Sequence, residues 1–496
     1  MGIVIRQSFW STIFLFLGVF LGAINILFLF RSIIGDEFFG LTRILLSVGF
    51  ISAEFAVLGT PTMIIKYFPF FKEEKNKGIV LYTFLISCIG TILAALALYL
   101  FKEPIISAKE GDAGLIGQYY FVSIIILVGV ALYKFFHGYF NAILKTTVPT
   151  FLNELMLRVY ITLWLLAYHF FEIEIYDWLL VFGLIYTINP LVMIIYLKAK
   201  GVFDLSWNKK LDRPFIFTSL NFGLWNLLAG ASVSLVNNVD IFMVGLLLSN
   251  GEEKAGFYAI ALYIVSLIVI PTRAMTNVTH PLVARMFKDQ NFAGLKKIYA
   301  QSSINLLVVC GLLFVLIWIN VDNIFLILGD DPEMGKWVVL FVGLSKLFAV
   351  ATGVNGALIN HSPHFRYTTY FILILAIITI ASNLIFIPRY EILGAAAATA
   401  FSLAMFNFLK WLFVWVKLKM QPFDIRSIKA LIVGLVCIGV SYIIPEFFSE
   451  NLTGRLLDIG LRSLICGGVF ISMTLWLGLS DEIDRIVSLL KSKIAK

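Results

Sequence analysis

Among the charged residues inside the long apolar stretches of this 496-residue sequence, we select seven as candidates, because an ionised side chain there needs a partner or a ligand. They are Arg43, Glu54, Glu154, Arg158, Asp240, Arg273 and Lys346. Three kinds of chemistry suit such residues: ion pairing within the fold, binding of a coupling ion by a carboxylate, and binding of an anionic ligand by a cation. The spacing and the neighbours of each residue indicate which of these to expect.

Glu154 and Arg158 are four residues apart, which places them one helical turn apart with the acid nearer the N-terminus. This spacing favours an ion pair that braces its own helix. The alternatives are that Arg158 contacts an anionic substrate and that Glu154 takes part in ion coupling or gating.

Arg43 and Glu54 lie in one apolar stretch, three helical turns apart and on roughly the same face. Arg43 is close to the end of that stretch, so its side chain either extends to the polar boundary or contacts substrate. Glu54 lies deeper and is a candidate for ion coupling or gating.

Asp240 is the single carboxylate in the stretch SLVNNVDIFMVGLLL, residues 234–248. Asn237 and Asn238 lie beside it and supply hydrogen-bond donors and acceptors. Two roles are open for Asp240. It is either a polar anchor that hydrogen-bonds a neighbouring helix, or a site of coupling-ion binding or conformational gating.

Arg273 follows Pro271 in another apolar stretch. Proline removes a helical hydrogen bond and exposes backbone polar groups that need a cavity or a partner. An arginine at such a break can bind phosphate oxygens through two parallel hydrogen bonds, or it can pair with Glu54 or Asp240. Lys346 is the second candidate substrate-binding cation.

The composition places these residues in a membrane. The sequence is 60% hydrophobic and 14% charged, with a mean hydropathy of +0.94. Apolar stretches of about 20 residues, the length that crosses a hydrocarbon core as a helix, recur along the whole chain. We predict an all-α polytopic membrane protein with about fourteen spans, at 8–30, 39–64, 78–101, 118–140, 149–170, 178–197, 214–248, 256–283, 300–321, 335–356, 366–386, 393–416, 427–445 and 458–479.

The loop charges predict that both termini are cytoplasmic. With that orientation most Lys and Arg residues fall in inner loops, notably 66–78 and 198–213, whereas the outer loops 171–177 and 329–335 are acidic. The net charge of +8 is therefore a topology signal. Because the basic residues are dispersed, we expect no nucleic acid partner. The tail 481–496 is predicted to be an amphipathic helix on the cytoplasmic membrane surface.

Several classes of function are disfavoured. The four cysteines fall inside predicted spans, the five histidines lack metal-ligand spacing, and no phosphate-binding loop motif occurs. We therefore expect no metal and no cofactor. No predicted loop has room for a folded catalytic domain, which leaves a transporter, a channel or an enzyme that works within the bilayer.

Two segments of the chain resemble each other and favour a transporter. Residues 29–77 and 243–292 each contain an outer turn with acids, a closing glycine at Gly40 or Gly256, and a long span with proline. Both run in the same direction, six spans apart, as in a parallel repeat. We predict an N-lobe at 1–213, a C-lobe at 214–420, and two further helices with the tail at 421–496.

These segments resemble a known family. The stretch SIIGDEFFGLTRILLSVGFISAEFAVLGTPTMIIKYFP (32–69) is similar to the second-helix region of bacterial polysaccharide and oligosaccharide flippases. The stretch NNVDIFMVGLLLSNGEEKAGFYAIALYIVSLIVIP (237–271) is similar to their seventh and eighth helices, including the aspartate. These flippases belong to the MOP superfamily with MATE exporters and lipid II flippases. The resemblance implies a V-shaped fold of two six-helix lobes plus two C-terminal helices.

The resemblance also implies a function, namely export of undecaprenyl-pyrophosphate-linked oligosaccharide units by alternating access in a bacterial cytoplasmic membrane. The slight excess of cations among the seven in-span charges suits a diphosphate. The expected partners are this lipid-linked substrate, membrane lipids and polysaccharide assembly proteins, and we expect a monomer. The coupling ion, H⁺ or Na⁺, is left open. The alternatives are a MATE-like exporter of small molecules, a lipid II flippase, and an intramembrane glycan polymerase or ligase.

Overall fold

The structure is a computed structural model that describes residues 2–71, 78–107, 114–202, 205, 211–444, 451–480 and 482. All regular secondary structure in these residues is helical. Parts of the two basic loops singled out above, and nearly all of the predicted amphipathic tail, lie outside the described residues.

Twelve described helices are each long and apolar enough to cross a membrane, and a bent pair passes the same test when its two arms are taken together. In chain order these are α1 (Trp10–Ile34), α2 (Asp36–Phe71), α3 (Ile79–Leu100), α4 (Phe121–Ala142), α5 (Thr147–Phe170), α6 (Ile175–Ala199), α7 (Arg213–Leu247), the bent pair α8 (Gly251–Leu267 and Ile270–Lys288), α9 (Phe292–Trp318), α10 (Pro332–Ala351), the long helix Tyr367–Leu418, and finally Ile425–Ile443 and Leu452–Trp476. The protein is therefore an all-α multi-pass membrane protein, as predicted.

The 52-residue helix Tyr367–Leu418 contains two spans. Glu391 has non-helical backbone angles, φ 51° and ψ −129°. The hydroxyls of Ser382 and Ser402 are 3.0 Å apart, whereas twenty residues of straight helix would separate them by about 30 Å. The chain therefore reverses at Glu391, and we name the arms α11 (367–390) and α12 (392–418). The two last helices become α13 and α14, which agrees with fourteen predicted spans.

The two copies of the predicted repeat are interrupted in the same way. In α2 the helix stops after Ala56 and resumes at Thr60, directly before Pro61. In α8 it stops at Val269 and resumes directly before Pro271, with a bend of 55°. Proline is accommodated at both places because the first turn of a helix needs no N–H donor there.

The first compact unit, Met1–Ala259, contains α1 to α7 and the start of α8. Helix α2 packs against both α4 and α7. The break in α2 requires glycine, because Gly59 has φ +71° and a Cβ there would overlap the backbone of Gly223 in α7. A Cβ at Gly40 would likewise overlap the carbonyl of Glu252, so the first turns of α2 and of α8 are in close contact.

The second compact unit, Ile260–Lys496, contains the rest of α8 and the helices that follow it. Helix α10 packs against the long helix formed by α11 and α12, while α9 packs against α10 and α13. The buried side chains between α9, α13 and α14 include Val315, Cys437, Cys466 and Phe470. The compact units divide within α8, and the lobe boundaries at residues 213 and 420 stay predictions.

The short described helices between the spans include Gly114–Tyr119, Val321–Leu328 and Asn355–His361. Asn355–His361 matters most for function, because it follows α10 and brings a buried amide, Asn355, against α8 and the long helix.

Candidate functional site

An ion pair joins Glu54 of α2 to Lys134 of α4 in the first unit. The side chains keep 20% and 29% of their surface exposed, respectively, so the pair is partly buried. The carboxylate also packs against Gly230 of α7, where a Cβ would lie 2.5 Å from Oε1 of Glu54. Lys134 is absent from the seven residues selected by sequence. Its position near the end of a predicted span made it indistinguishable from a lysine that extends to the membrane boundary.

Glu154 and Arg158 form the ion pair that their spacing predicts, with 3.3 Å between Oε2 and Nη2. Glu154 lies in a π-helical turn, Phe151–Met156, that begins the apolar part of α5. Nη1 of Arg158 also donates a hydrogen bond of 2.9 Å to the carbonyl of Asn153. The pair is therefore held by its own helix, and the roles of Arg158 in substrate binding and of Glu154 in coupling stay predictions.

A second π-helical turn faces this pair from α1. The turn spans Asn25–Leu29, and Asn25 donates a hydrogen bond of 3.2 Å to the carbonyl of Arg158. Thr162 donates one of 2.9 Å to the side-chain oxygen of Asn25. Turns of this kind free backbone groups that polar side chains then satisfy. No feature of the sequence that we used predicted this contact between α1 and α5.

Arg43 lies between two aromatic rings in the first unit. Its guanidinium carbon is 4.7 Å from the ring centre of Phe30 and 4.8 Å from that of Phe39. Its buried Nε has no hydrogen-bond acceptor among the described residues. Cation–π attraction to the two rings offsets part of the free-energy cost of burying the charge. A contact between Arg43 and substrate stays a prediction.

Asp240 is buried in α7, with 2% of its surface exposed. One carboxylate oxygen accepts a hydrogen bond of 3.1 Å from the hydroxyl of Tyr258 in α8, and the other accepts one of 2.9 Å from the backbone of Ile241. The neighbouring Asn238 donates instead to the carbonyl of Ser234 in its own helix. The Tyr258 contact matches the hydrogen bond expected of a polar anchor. Ion coupling or gating by Asp240 stays a prediction.

The two candidate substrate-binding cations lie in the second unit. Arg273 follows the break in α8 and its side chain is exposed. Lys346 is partly buried on α10. Their contact with substrate stays a prediction.

A polar cavity of about 280 Å³ lies in the second unit. Its polar lining comes from the second arm of α8, the short helix Asn355–His361 and α12, and consists of Thr272, Thr276, His280, Asn355, Asn407 and Lys410. The other described residues of its lining are apolar or glycine, and no carboxylate is among them.

Lys410 is the charged residue of this cavity. Its Nζ lies 4.4 Å from the ring centre of Phe406, one turn earlier in α12. No ion pair connects it to a carboxylate among the residues that the structure describes. Lys410 too is missing from the seven residues selected by sequence, for the same reason as Lys134. Both lysines lie close to the predicted inner end of their spans.

Comparison with known proteins identifies relatives of this chain. The family described as "Polysaccharide biosynthesis protein" matches residues 4–287, and the MatE family matches residues 227–388. An uncharacterized membrane protein of Methanocaldococcus jannaschii is 20% identical over 299 residues, which are 58% of this chain and 56% of the relative. The chain thus spans little more than half the length of that curated relative.

Two solved structures share the fold. The lipid II flippase MurJ, in an inward closed conformation, aligns with a TM-score of 0.68 and 13% identity over 94% of this chain and 99% of its own. An inward-facing multidrug resistance transporter of the MATE family aligns with a TM-score of 0.60 and 13% identity over 87% of this chain and 99% of its own. The polysaccharide biosynthesis family covers more than half of the sequence, and on that ground the chain belongs to this family.

Proposed function

We propose that the protein is a flippase that moves undecaprenyl-pyrophosphate-linked oligosaccharide units from the cytoplasmic to the outer leaflet of a bacterial cytoplasmic membrane. The observation that carries this proposal is the polysaccharide biosynthesis family match over residues 4–287, on a fold shared with a lipid II flippase. The protein makes and breaks no bond of its substrate. It moves a polar headgroup across the membrane by alternating access while the lipid tail stays in the bilayer.

The distribution of charge supports an anionic headgroup. In the first unit, Glu54 and Glu154 are each neutralised by a basic residue of the same unit. In the second unit, Arg273 is exposed and Lys410 lines a cavity without carboxylates. A diphosphate would gain charge-assisted hydrogen bonds from such cations, and arginine can donate two in parallel.

The test is translocation of a lipid-linked oligosaccharide in vesicles that contain the purified protein. A flippase changes the leaflet of the glycan, which a lectin or glycosidase added outside detects, and leaves its covalent structure unchanged. A polymerase or ligase would change the mass of the glycan. Transport of no lipid-linked oligosaccharide by correctly folded protein would exclude the proposal.

Variants of Arg273 make the same translocation test more specific. Replacement with alanine should abolish translocation, because both the charge and the two-pronged geometry are lost, whereas Arg273→Lys should restore it in part. Lys346→Ala should weaken translocation less. Equal activity of Arg273→Ala and the unmodified protein at equal membrane abundance would remove Arg273 from the mechanism.

Orientation is tested by labelling of introduced cysteines. With both termini in the cytoplasm, cysteines at Glu174 and Asp331 should react from outside, and cysteines at Lys75 and Lys209 from inside only. Labelling of the cysteine at Lys209 from outside would show that the predicted topology is wrong from that point onward.

A MATE-like exporter of small molecules is the second candidate. The MatE family match over residues 227–388 favours it. Efflux of cationic dyes driven by an H⁺ or Na⁺ gradient, with no movement of lipid-linked glycan, would select this alternative. Movement of lipid II but of no other lipid-linked saccharide would instead indicate a lipid II flippase.

A further inference from the structure

The cavity in the second unit is built from three separated parts of the chain. The second arm of α8 contributes Thr272, Thr276 and His280, the helix Asn355–His361 contributes Asn355, and α12 contributes Asn407 and Lys410. Asn355 and Asn407 are 3% and 5% exposed, so the amides belong to the folded interior. A site assembled from three elements is held in place by the packing of the unit.

The amide side chains that line the cavity keep hydrogen-bond donors for a ligand. The hydroxyls of Thr272 and Thr276 already donate to carbonyls of their own helix. Asn355 uses one amide N–H on the hydroxyl of Thr352, and Asn407 uses one on the carbonyl of Leu403. Each amide therefore retains a second N–H.

Lys410 adds a positive charge to these donors. Nζ of Lys410 contacts the ring of Phe406, and this cation–π attraction offsets only part of the cost of desolvating the charge. Burial of an ammonium among apolar side chains is unfavourable unless polar groups or a negative charge compensate it. Because no carboxylate is among the described residues that line the cavity, a ligand or the solvent can supply the compensating negative charge.

We propose that this cavity binds a phosphoryl group, with Lys410 as the charged contact and Asn355, Asn407 and His280 as further hydrogen-bonding partners. The cavity, at about 280 Å³, is larger than a monatomic anion requires, and its polar side chains come from three separate elements, which suits the several oxygens of a tetrahedral anion. The phosphoryl group belongs to the diphosphate of a lipid-linked substrate or to free phosphate. The first source rests on the function proposed above, and the second does not.

The test measures binding to the full chain in detergent, without any transport. Inorganic phosphate, inorganic pyrophosphate and farnesyl diphosphate are titrated against the unmodified protein and against Lys410→Gln. The matched control is Lys417→Gln, because Lys417 is an exposed lysine of the same helix that does not line the cavity. We expect at least a tenfold loss of affinity for the phosphorylated probes in Lys410→Gln and none in Lys417→Gln.

The outcomes separate the two sources. Binding of farnesyl diphosphate alone indicates the headgroup of a lipid substrate, whereas binding of all three probes indicates a site that also accepts free phosphate. No binding by any probe, equal affinity in Lys410→Gln, or equally tight binding of glucuronate would each overturn the assignment.

A second variant guards against loss of folding. Lys410→Arg keeps the positive charge at this position and should retain affinity within about threefold. Asn407→Leu leaves Lys410 in place but removes an amide donor, and it should weaken binding. Loss of binding in Lys410→Gln alongside intact translocation would not contradict the proposed function. Intact binding without translocation would contradict the proposed function but not the proposed phosphoryl site.

Discussion

Lys134 and Lys410 occupy similar positions in their helices but have different electrostatic surroundings. Each lies eight residues before the C-terminal end of an apolar helix, α4 ending at Ala142 and α12 at Leu418. Lys134 forms an ion pair with Glu54, a residue 80 positions earlier in the chain. Lys410 contacts an aromatic ring and a polar cavity without carboxylates.

The difference separates charges that serve the fold from charges that are available to a ligand. Where the partner is a residue of the same unit, as for Glu54 and Lys134 or for Glu154 and Arg158, removing one side leaves an uncompensated charge behind. Where no described carboxylate pairs with the charge, as for Lys410, its removal leaves no uncompensated charge behind and should not destabilise the folded state. Stability measurements therefore distinguish the two kinds of lysine without knowledge of the substrate.

The largest effect is expected for Lys134→Met. It strands the Glu54 carboxylate, and we expect a loss of about 1–3 kcal/mol in the free energy of unfolding, less than the about 3–5 kcal/mol of a fully buried pair because the two side chains are 29% and 20% exposed. Denaturant unfolding in detergent, followed by tryptophan fluorescence, measures this loss.

The control for this effect is the double variant with Glu54→Gln. It should be more stable than Lys134→Met alone, since the stranded charge is gone. Lys198→Met, at an exposed lysine of α6, should change stability little. Additive losses in the double variant would show that the pair contributes no coupling energy.

The next effect concerns Asp240. Tyr258→Phe removes a hydrogen bond from a carboxylate that is 2% exposed, and we expect a loss of about 1–2 kcal/mol. Asp240→Asn should cost less, because the amide oxygen still accepts from Tyr258, and it should retain most translocation. Collapse of translocation in Asp240→Asn at normal membrane abundance would contradict the anchor and favour the coupling-ion role.

The parts of the structure that sequence predicted are those set by local periodicity. The length of the apolar stretches predicted fourteen spans, and helices lie at these positions. The four-residue spacing predicted the ion pair between Glu154 and Arg158. The contacts that escaped prediction join different helices. Glu54 meets Lys134 because α2 packs on α4, and Asp240 meets Tyr258 of the next helix.

The Lys410 cavity escaped prediction for a different reason. A lysine near the end of a span normally extends its flexible chain toward water, so sequence favours a boundary role. Only the packing of α8, Asn355–His361 and α12 shows that a polar cavity surrounds this lysine. Arg273 was selected by its neighbour Pro271, and the helix does break directly before that proline.

A smaller effect is expected for Arg158→Met. The pair with Glu154 is a one-turn contact on a single helix with side chains 28% and 23% exposed, and such pairs contribute about 0.3–0.5 kcal/mol. The lost hydrogen bond to the carbonyl of Asn153 adds to this, for a total of about 1 kcal/mol. Unfolding of Arg158→Met, Glu154→Gln and the double variant measures it, and a loss as large as that of Lys134→Met would show that the pair also holds α1 to α5.

The smallest effect, and the one that decides the comparison, is expected for Lys410→Met. Because no carboxylate among the described residues pairs with Lys410 or lines its cavity, its replacement should leave the free energy of unfolding unchanged or raise it by about 1 kcal/mol in phosphate-free buffer. Added pyrophosphate should stabilise the unmodified protein and not Lys410→Met, since a ligand that binds only the folded state raises its stability. Thermal unfolding with and without pyrophosphate measures both expectations. A loss as large as that of Lys134→Met would mean that the fold itself uses the charge of Lys410, and the two lysines would then differ only in the identity of their partners.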